Sequence, residues 1–497
     1  VLFEEPRTKS PLPSSTFQKT YRADPIAFTH DCFYWKRGDG PAFYQDEILA
    51  DLVTYKREAV RGPHALGKTA AASWLVLWFA LTRDGDDWKI PTTASAWRQL
   101  TKYLWPEIHK WSRRLRWDVI GRGPFDPRLE LQTLSLKLAT GEAFAVASDD
   151  ETLIEGAHAD HLLYIFDEAK SIKGELFDAA EGAFANAGED AAGEAYAIAI
   201  STPGEPNGRF YDIHKRKPGY EDWHPKHVTL EDTILAGRVS REWAEQRRKE
   251  WGEKSAVYQN RVVGEFAASE ADGIIPLAWV ELANERWHAW REQEFIGEFA
   301  SLGVDVARYG TDKTVFAVRK KVPPKENPED PNPPCKEGIE ELRRYSKEDT
   351  MEVAGRVKGF LDAHGGRAVI DVLNMGAGVV DRLRELGYAV LAFNAGEHTN
   401  AKDKSGELGF VDKRAHAWWN MRELLDPANG ADIALPPEDT LIGDLTAPHW
   451  RPMSGGKIRV ESKDELRKPE RLGRSTDDGD AVVMAFYDEL EADWLLH

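Results

Sequence analysis

At 497 residues, with 42% apolar and 30% charged side chains, the chain is a folded protein of about two to four domains, at roughly 100–200 residues each. No apolar run approaches the roughly 20 residues that span a bilayer; the longest, Ala70 to Leu81, reads as a buried helix, so no membrane partner is expected. A net charge of −19 argues against a basic nucleic-acid coat, and two cysteines without Cys or His at ligand spacing argue against a disulfide framework or a zinc site.

The start, VLFEEPRTKS, lacks the basic-then-apolar order of a secretory signal and carries no methionine, so a cytoplasmic protein with a few residues missing is expected. Residues 1–40 are rich in Pro and Ser. From about Phe43 to Pro203 apolar strands alternate with amphipathic helices, the order of a parallel α/β sheet. At its start, PAFYQ offers the rings of Phe43 and Tyr44 for stacking and the amide of Gln45 for the edge of an adenine.

The strand EAVR ends at Arg61 and runs into RGPHALGKT, 61–69, with the helical stretch TAAASWLVLWF behind it. This is the phosphate-loop pattern GxxxxGK[ST]. Gly62 and Gly67 let the backbone turn its N–H groups inward, and Lys68 supplies a cation for the β- and γ-phosphates. Thr69 offers a hydroxyl to Mg2+ and begins a helix whose N-terminus favours anions. A glycine turn with a surface lysine is the bland alternative, and the strand before and helix after speak against it.

The next strands are AFAVAS (143–148), LLYIF (162–166) and AYAIAIS (195–201). The second runs into Asp167 and Glu168, and carboxylates at the end of a buried strand need a cation. Asp167 would hold Mg2+ through water and Glu168 would polarise the attacking water, which makes the expected reaction ATP hydrolysis. Ser201 and Thr202, in ISTPG, either contact the γ-phosphate or the catalytic carboxylate, or simply turn the chain before Pro203. His158 and His161 lack a third ligand and read as structural; HKRK at 214–217 reads as a solvated surface. Residues 204–265 look like a polar helical lid, and 266–296 like a connector.

A second α/β pattern begins at Phe299. SLGVDVA and TVFAVRKK bracket the turn YGTDK as a hairpin, and the Pro-rich stretch 321–338 reads as a surface loop. Strand RAVIDV (367–372), helix 378–387, strand AVLAF (389–393), helix 414–426, strand KIRVES (457–462), the basic loop RKPERLGR (467–474) and helix 479–494 follow. GAGVVD at 376–381 lacks the third glycine of a dinucleotide fingerprint and reads as a tight turn.

Asp305 sits inside the first strand of this hairpin, Asp371 ends RAVIDV, and Asp480 opens the last helix with Asp477 one turn earlier. A hairpin strand, its neighbour and a late helix can bring three acids to one point on a sheet. Their mutual repulsion calls for cations. Two Mg2+ or Mn2+ ions held by Asp305, Asp371, Asp477 and Asp480 would suit in-line phosphodiester cleavage, the layout of an RNase H-type nuclease. Asp312, in the hairpin turn, is a weaker outer candidate.

RGPHALGKT, LIEGAHADHLLYIFDEA, ISTPG, YQNRVVGEF, GVDVARYGTDKT, IDVLNMGAG and GRSTDDGDAV occur in an order that resembles the large terminase subunit of tailed double-stranded DNA bacteriophages, from about Pro41 to Leu490. The resemblance implies a P-loop ATPase domain with a parallel sheet (1–265), a connector (266–296) and an RNase H-like α/β nuclease domain (297–497). It implies a motor that drives double-stranded DNA through a portal into a procapsid, cuts concatemers at the start and end of packaging, and works with a small terminase subunit. A homo-oligomeric ring, expected to be pentameric, would form on the portal, with a monomer as the alternative in isolation; the place of action would be the host cytoplasm during virion assembly. Arg61 matches an arginine common in this family's P-loop, and Arg98 and Arg209 are the candidates for a further arginine donated in trans. Some relatives carry Glu where Asp371 stands here. A helicase- or repair-type ATPase fused to a nuclease is the alternative; it would need a second motor sheet, for which 204–296 is too short.

Overall fold

The computed structural model describes residues 11–36, 39–147, 151–184, 193–268, 272–292, 297–307, 313–322, 335–346, 348–373, 375–430, 432–453, 456–468 and 471–488. Asp312 and most of the Pro-rich stretch 321–338 lie outside these residues, and the last helix, expected to reach 494, stops at Ala485. Two compact units divide the chain. The first runs to Ala244 and takes up Gln259–Ala267; the second takes Glu245–Tyr258 and the chain from Ala268 onward.

The first unit is built on β1 (Arg57–Arg61), β2 (Trp88–Ala94), β3 (Leu131–Gln132), β4 (Ser135–Lys137), β5 (Gly141–Val146), β6 (His161–Asp167), β7 (Glu194–Ser201) and β8 (His224–His227). They form one sheet in the order β3-β4-β5-β2-β6-β7-β1-β8. From β5 to β8 every neighbour pair is parallel, and only β3 and β4 run antiparallel at one edge. A parallel sheet must be covered on both faces, and the strand residues sort accordingly with period two. Tyr196, Ile198 and Ile200 of β7 join the cluster around Trp74 and Trp78 of the helix Lys68–Arg83, whereas Ala195, Ala197 and Ala199 face the cluster of Phe166 and Phe177.

β2 was not legible because Pro91 breaks a pattern that otherwise reads as a central strand. The structure accommodates it: the ladder from β2 to β6 is interrupted at Ile90 and Pro91, while the pairing with β5 continues through both.

The second unit carries β9 (Glu298–Asp305), β10 (Thr314–Lys321), β11 (Glu337–Tyr345), β12 (Arg367–Asp371), β13 (Val390–Phe393), β14 (Gly409–Phe410), β15 (Ile433–Ala434), β16 (Trp450–Met453) and β17 (Lys457–Val460). The main sheet has the order β13-β12-β9-β10-β11-β15, and β14-β17-β16 form a small second one. β9, β10 and β11 are antiparallel, and β12 and β13 are added parallel beside β9. Three antiparallel strands followed by two parallel ones, threaded in this order, are the RNase H-like arrangement expected from the sequence. The helix Thr350–His364 packs on one face through Val353, Val357 and Phe360. The helix Asp477–Ala485, called the acid helix below, covers β9, β10 and β12 on the other.

Within the stretch 266–296, read from sequence as a connector, lies the helix Leu277–Glu292, whose buried Asn284 donates to the carbonyls of Leu435 and Pro436. Among the described residues no helix is long and apolar enough to cross a membrane. Cys32 and Cys335 are both buried and free.

Candidate active sites

In the first sheet the register aligns the candidate residues along one edge. Arg61 of β1 pairs with Ser201 of β7, and Asp167 of β6 pairs with Ile200 of β7 and with Ala94 of β2. This is the carboxyl edge of a parallel sheet, where α/β folds bind their ligands. β7 therefore stands between the strand that feeds the phosphate loop and the strand that carries Asp167.

The loop between β1 and its helix is shaped by backbone chemistry. Gly67 caps the helix with φ +84°, and a Cβ there would lie 2.5 Å from Nε2 of Gln45. Gln45 is 2% exposed; its Oε1 accepts from Ala42 N at 2.9 Å and its Nε2 donates to the carbonyls of Leu66 and Gly67 at 3.4 and 3.2 Å. The Tyr44 hydroxyl donates to the same Leu66 carbonyl at 3.0 Å. These two side chains hold the loop from below, and the ring of Phe43 is exposed. Gly62 is buried at the loop's start, and Thr69 sits in the first helical turn, its carbonyl accepting from Ser73 Oγ at 2.7 Å. Lys68 Nζ donates to the Pro63 carbonyl at 3.3 Å, and burial holds its pKa below the ordinary lysine value against the pull of Glu168 and Asp167. A cramped cradle around a poorly solvated ammonium fits a nucleotide phosphate.

The acids face it. Burial, and then the neighbouring charge of Glu168, push Asp167 up to about 7. Glu168 adopts φ +48°, ψ +48°, a left-handed conformation that costs a non-glycine residue on the order of 1 kcal/mol. Its N–H donates to Asp167 Oδ1 at 3.1 Å and its Oε2 accepts from Ser201 Oγ at 3.1 Å. Thr202 is buried next in the chain. The guanidinium of Arg61 donates to the Gly264 carbonyl and to Glu265 Oε2, both at 2.6 Å. Of the two other arginines considered, Arg98 donates to the Tyr103 hydroxyl at 3.0 Å and Arg209 pairs with Asp178 at 2.7 Å. His161 lies 3.2 Å from Glu194, in keeping with a structural part.

In the second unit Asp305 ends β9, Asp371 ends β12, and Asp480 lies in the first turn of the acid helix. The three carboxylates converge on Lys463, whose Nζ is 2.7 Å from Asp305, 3.3 Å from Asp480 and 3.8 Å from Asp371. Asp480 is further held by Arg414 Nη1 at 2.5 Å, Trp418 Nε1 at 3.0 Å and Thr476 Oγ1 at 2.7 Å. Burial works against Asp480's charge, but Arg414 and Lys463 bring it down to about 2. Burial pushes Asp305 and Asp371 upward despite Lys463. Burial also opposes the charge of Lys463, and the acids, Asp305 foremost, outweigh it and raise its pKa. The cleft in front, about 400 Å³, is lined by Asp305, Asp371, Asp477, Arg414, Lys463 and Arg467 among others. Asp477 is on the rim, and Asp478 is turned away, bound by Arg344 at 2.7–2.9 Å.

Among the described residues no group of three or more Asp, Glu, His or Cys is arranged to hold a metal ion. The ammonium of Lys463 stands where the carboxylates meet and takes the place a cation would have. As a donor set three carboxylates around one positive charge suit a hard divalent ion. Lys463, Arg414, Trp418 and Thr476 were not singled out in the sequence. Two signals were available: Arg414 and Trp418 are four apart on one helix, and three buried acids require a cation.

The first unit thus has a parallel sheet with a phosphate-loop pattern and the second an RNase H-like strand order, with a polar cluster at the strand ends of each. A curated relative, the probable large terminase subunit of Enterobacteria phage P7, is 27% identical over 281 residues, 54% of this chain and 53% of that protein. The chain thus matches about half the length of this curated relative. Among solved structures, the large terminase of a thermophilic bacteriophage is similar at 13% identity and a TM-score of 0.40, covering 90% of this chain and 98% of its own. The nuclease domain of the large terminase subunit gp2 of bacterial virus Sf6, with manganese and β-thujaplicinol, is similar at 18% identity and a TM-score of 0.34, covering 44% of this chain and 99% of its own. No family model matches.

Proposed function

We propose that the chain is a DNA-packaging motor with its own nuclease: ATP hydrolysis in 1–265, with 204–265 as a lid, a connector at 266–296, and DNA cleavage in 297–497. The observation that carries this reading is the pairing, in one chain, of the Lys68–Asp167–Glu168 edge with the Asp305–Asp371–Asp480 cleft.

At the first site Lys68 and the loop amides of 62–69 would bind the β- and γ-phosphates, Thr69 and Asp167 would hold Mg2+, and Arg61 would sense the γ-phosphate. Glu168, restrained by Ser201, would take the proton of the attacking water. At the second, Asp305, Asp371 and Asp480, with Asp477 at the rim, would hold two Mg2+ or Mn2+ ions. When bound, the ions would supply charge neutralisation for in-line displacement at phosphorus. Arg414 would fix the Asp480 carboxylate, and Lys463 would keep the acids together until a divalent ion takes its place.

The partners under this reading are double-stranded DNA, a portal and procapsid, a small terminase subunit, and further copies of the chain in a ring of five. The experiment is packaging itself: purified chain with cognate procapsids, small subunit and ATP should render linear DNA resistant to added nuclease. Hydrolysis of ATP with no DNA protected at any component ratio would overturn the motor reading.

A further inference from the structure

The first turn of the acid helix is capped in an unusual way. Its N-cap residue, Thr476, gives its hydroxyl to Asp480 Oδ2 and none to the backbone. Helix starts leave N–H groups that need acceptors, and here one acceptor comes from another helix: Gly479 N donates to Asp444 Oδ2 at 3.1 Å, from the helix Asp439–Thr446. The approach is close. A Cβ on Gly479 would lie 2.9 Å from Asp444 Cβ, so only glycine fits between the two helices. Asp444 is 0% exposed, and its other oxygen accepts from Arg474 Nη1.

Arg474 reaches further. Its Nη1 also donates to the Ser475 carbonyl at 2.9 Å, and its Nε donates to the carbonyl of Glu250 at 3.1 Å. Glu250 is the penultimate residue of the helix Arg241–Trp251, along which the chain first passes from one unit to the other. The next residue, Trp251, donates from its indole to the Asp439 carbonyl at 3.0 Å, at the start of the helix that carries Asp444. The end of the helix Arg241–Trp251 is therefore hydrogen-bonded to Arg474 and to the first residue of the helix that carries its partner Asp444.

We propose that Asp444 and Arg474 are positioning residues for Asp480: they hold the first turn of the acid helix and tie it to the end of the helix Arg241–Trp251, so that a movement of that helix end is felt at the acid cleft. The inference rests on the nuclease reading of the cleft. Their hydrogen bonds go to each other, to Gly479 N and to the carbonyls of Glu250 and Ser475, and none goes to Asp305, Asp371 or Asp480.

The test uses the full chain, with plasmid cleavage in Mn2+, ATP hydrolysis, and the rise in melting temperature caused by Mn2+ alone. Arg474→Lys keeps the charge beside Asp444 and loses the bond to Glu250. It should lower kcat for cleavage by about tenfold, raise the Mn2+ concentration for half-maximal stabilisation several-fold, and leave KM for DNA and ATP hydrolysis within about twofold. Asp444→Ala should do the same or more; Asp444→Asn, which keeps an acceptor for Gly479 N, should recover most of the cleavage rate and of the Mn2+ response.

Unchanged kcat and Mn2+ response in Arg474→Lys and Asp444→Ala would overturn the inference, as would ATPase and cleavage falling in step, the mark of general destabilisation. If the parent chain responds to Mn2+ and cuts, and Asp305→Ala stops it, the nuclease reading stands whatever these variants do. A parent with neither cleavage nor an Mn2+ response would overturn both.

Discussion

Ser201 Oγ donates to Glu168 Oε2 at 3.1 Å, so the end of β7 restrains the carboxylate that follows β6. The bond crosses 33 residues of sequence and is made by a residue held in the left-handed region, so both the backbone and the side chain of Glu168 are fixed by their surroundings. Ser201→Ala should lower kcat for ATP hydrolysis by about tenfold, with KM for ATP within about twofold, because the variant loses orientation and not phosphate contacts. Glu168→Gln should abolish turnover while ATP binding persists. Steady-state hydrolysis and nucleotide titration check both; a rise in KM alone for Ser201→Ala would assign Ser201 to binding.

Lys463 is the positive charge among three buried acids. Without it the carboxylates repel one another and the second unit loses stability, and a divalent ion can make up the loss. Lys463→Ala should therefore melt earlier than the parent in EDTA and show the larger upward shift on addition of Mn2+. Thermal denaturation with and without the ion checks this. A variant as stable as the parent in EDTA would show that the acids are compensated by other groups.

Glu58, on β1, is buried with neither carboxyl oxygen hydrogen-bonded, and burial, then Asp51, push its pKa well above the ordinary value. The sign follows from linkage. An acid whose pKa is raised by folding takes up a proton on folding, so its contribution to stability falls as pH rises from the unfolded pKa, about 4.3, towards the folded one. Glu58→Met, which keeps the length and removes the unmet polar atoms, should stabilise the chain at pH 7 by about 1–2 kcal/mol and flatten its stability between about pH 4.5 and 7. Urea unfolding at the two pH values measures both; a destabilised variant would mean that the carboxyl meets a partner such as ordered water.

The legible parts of the sequence were those where chemistry is local. RGPHALGKT carries its loop, its cation and its helix start in nine consecutive residues, and LLYIFDE carries strand and acids together. The hairpin of β9 and β10 and the parallel strand β12 were readable from apolar runs with one acid each. What was not legible depends on distant partners. Arg61 meets Glu265 across 204 residues, and Lys463 meets Asp305 across 158. β11 is a charged strand, GIEELRRY in its main part, behind the Pro-rich stretch, and its pairing with β10 along its length and with β15 at its start makes it one. Gln45 illustrates the same limit: its amide suited a base by chemistry alone, and the fold gives it two carbonyls of the phosphate loop.

One crossed experiment tests the two proposed hydrolytic sites most directly. ATP hydrolysis and Mn2+-dependent plasmid cleavage are measured side by side on the parent, Lys68→Ala and Asp305→Ala. Both activities are expected in the parent, loss of hydrolysis alone in Lys68→Ala, and loss of cleavage alone in Asp305→Ala. Cleavage undiminished in Asp305→Ala, or hydrolysis undiminished in Lys68→Ala, would contradict this.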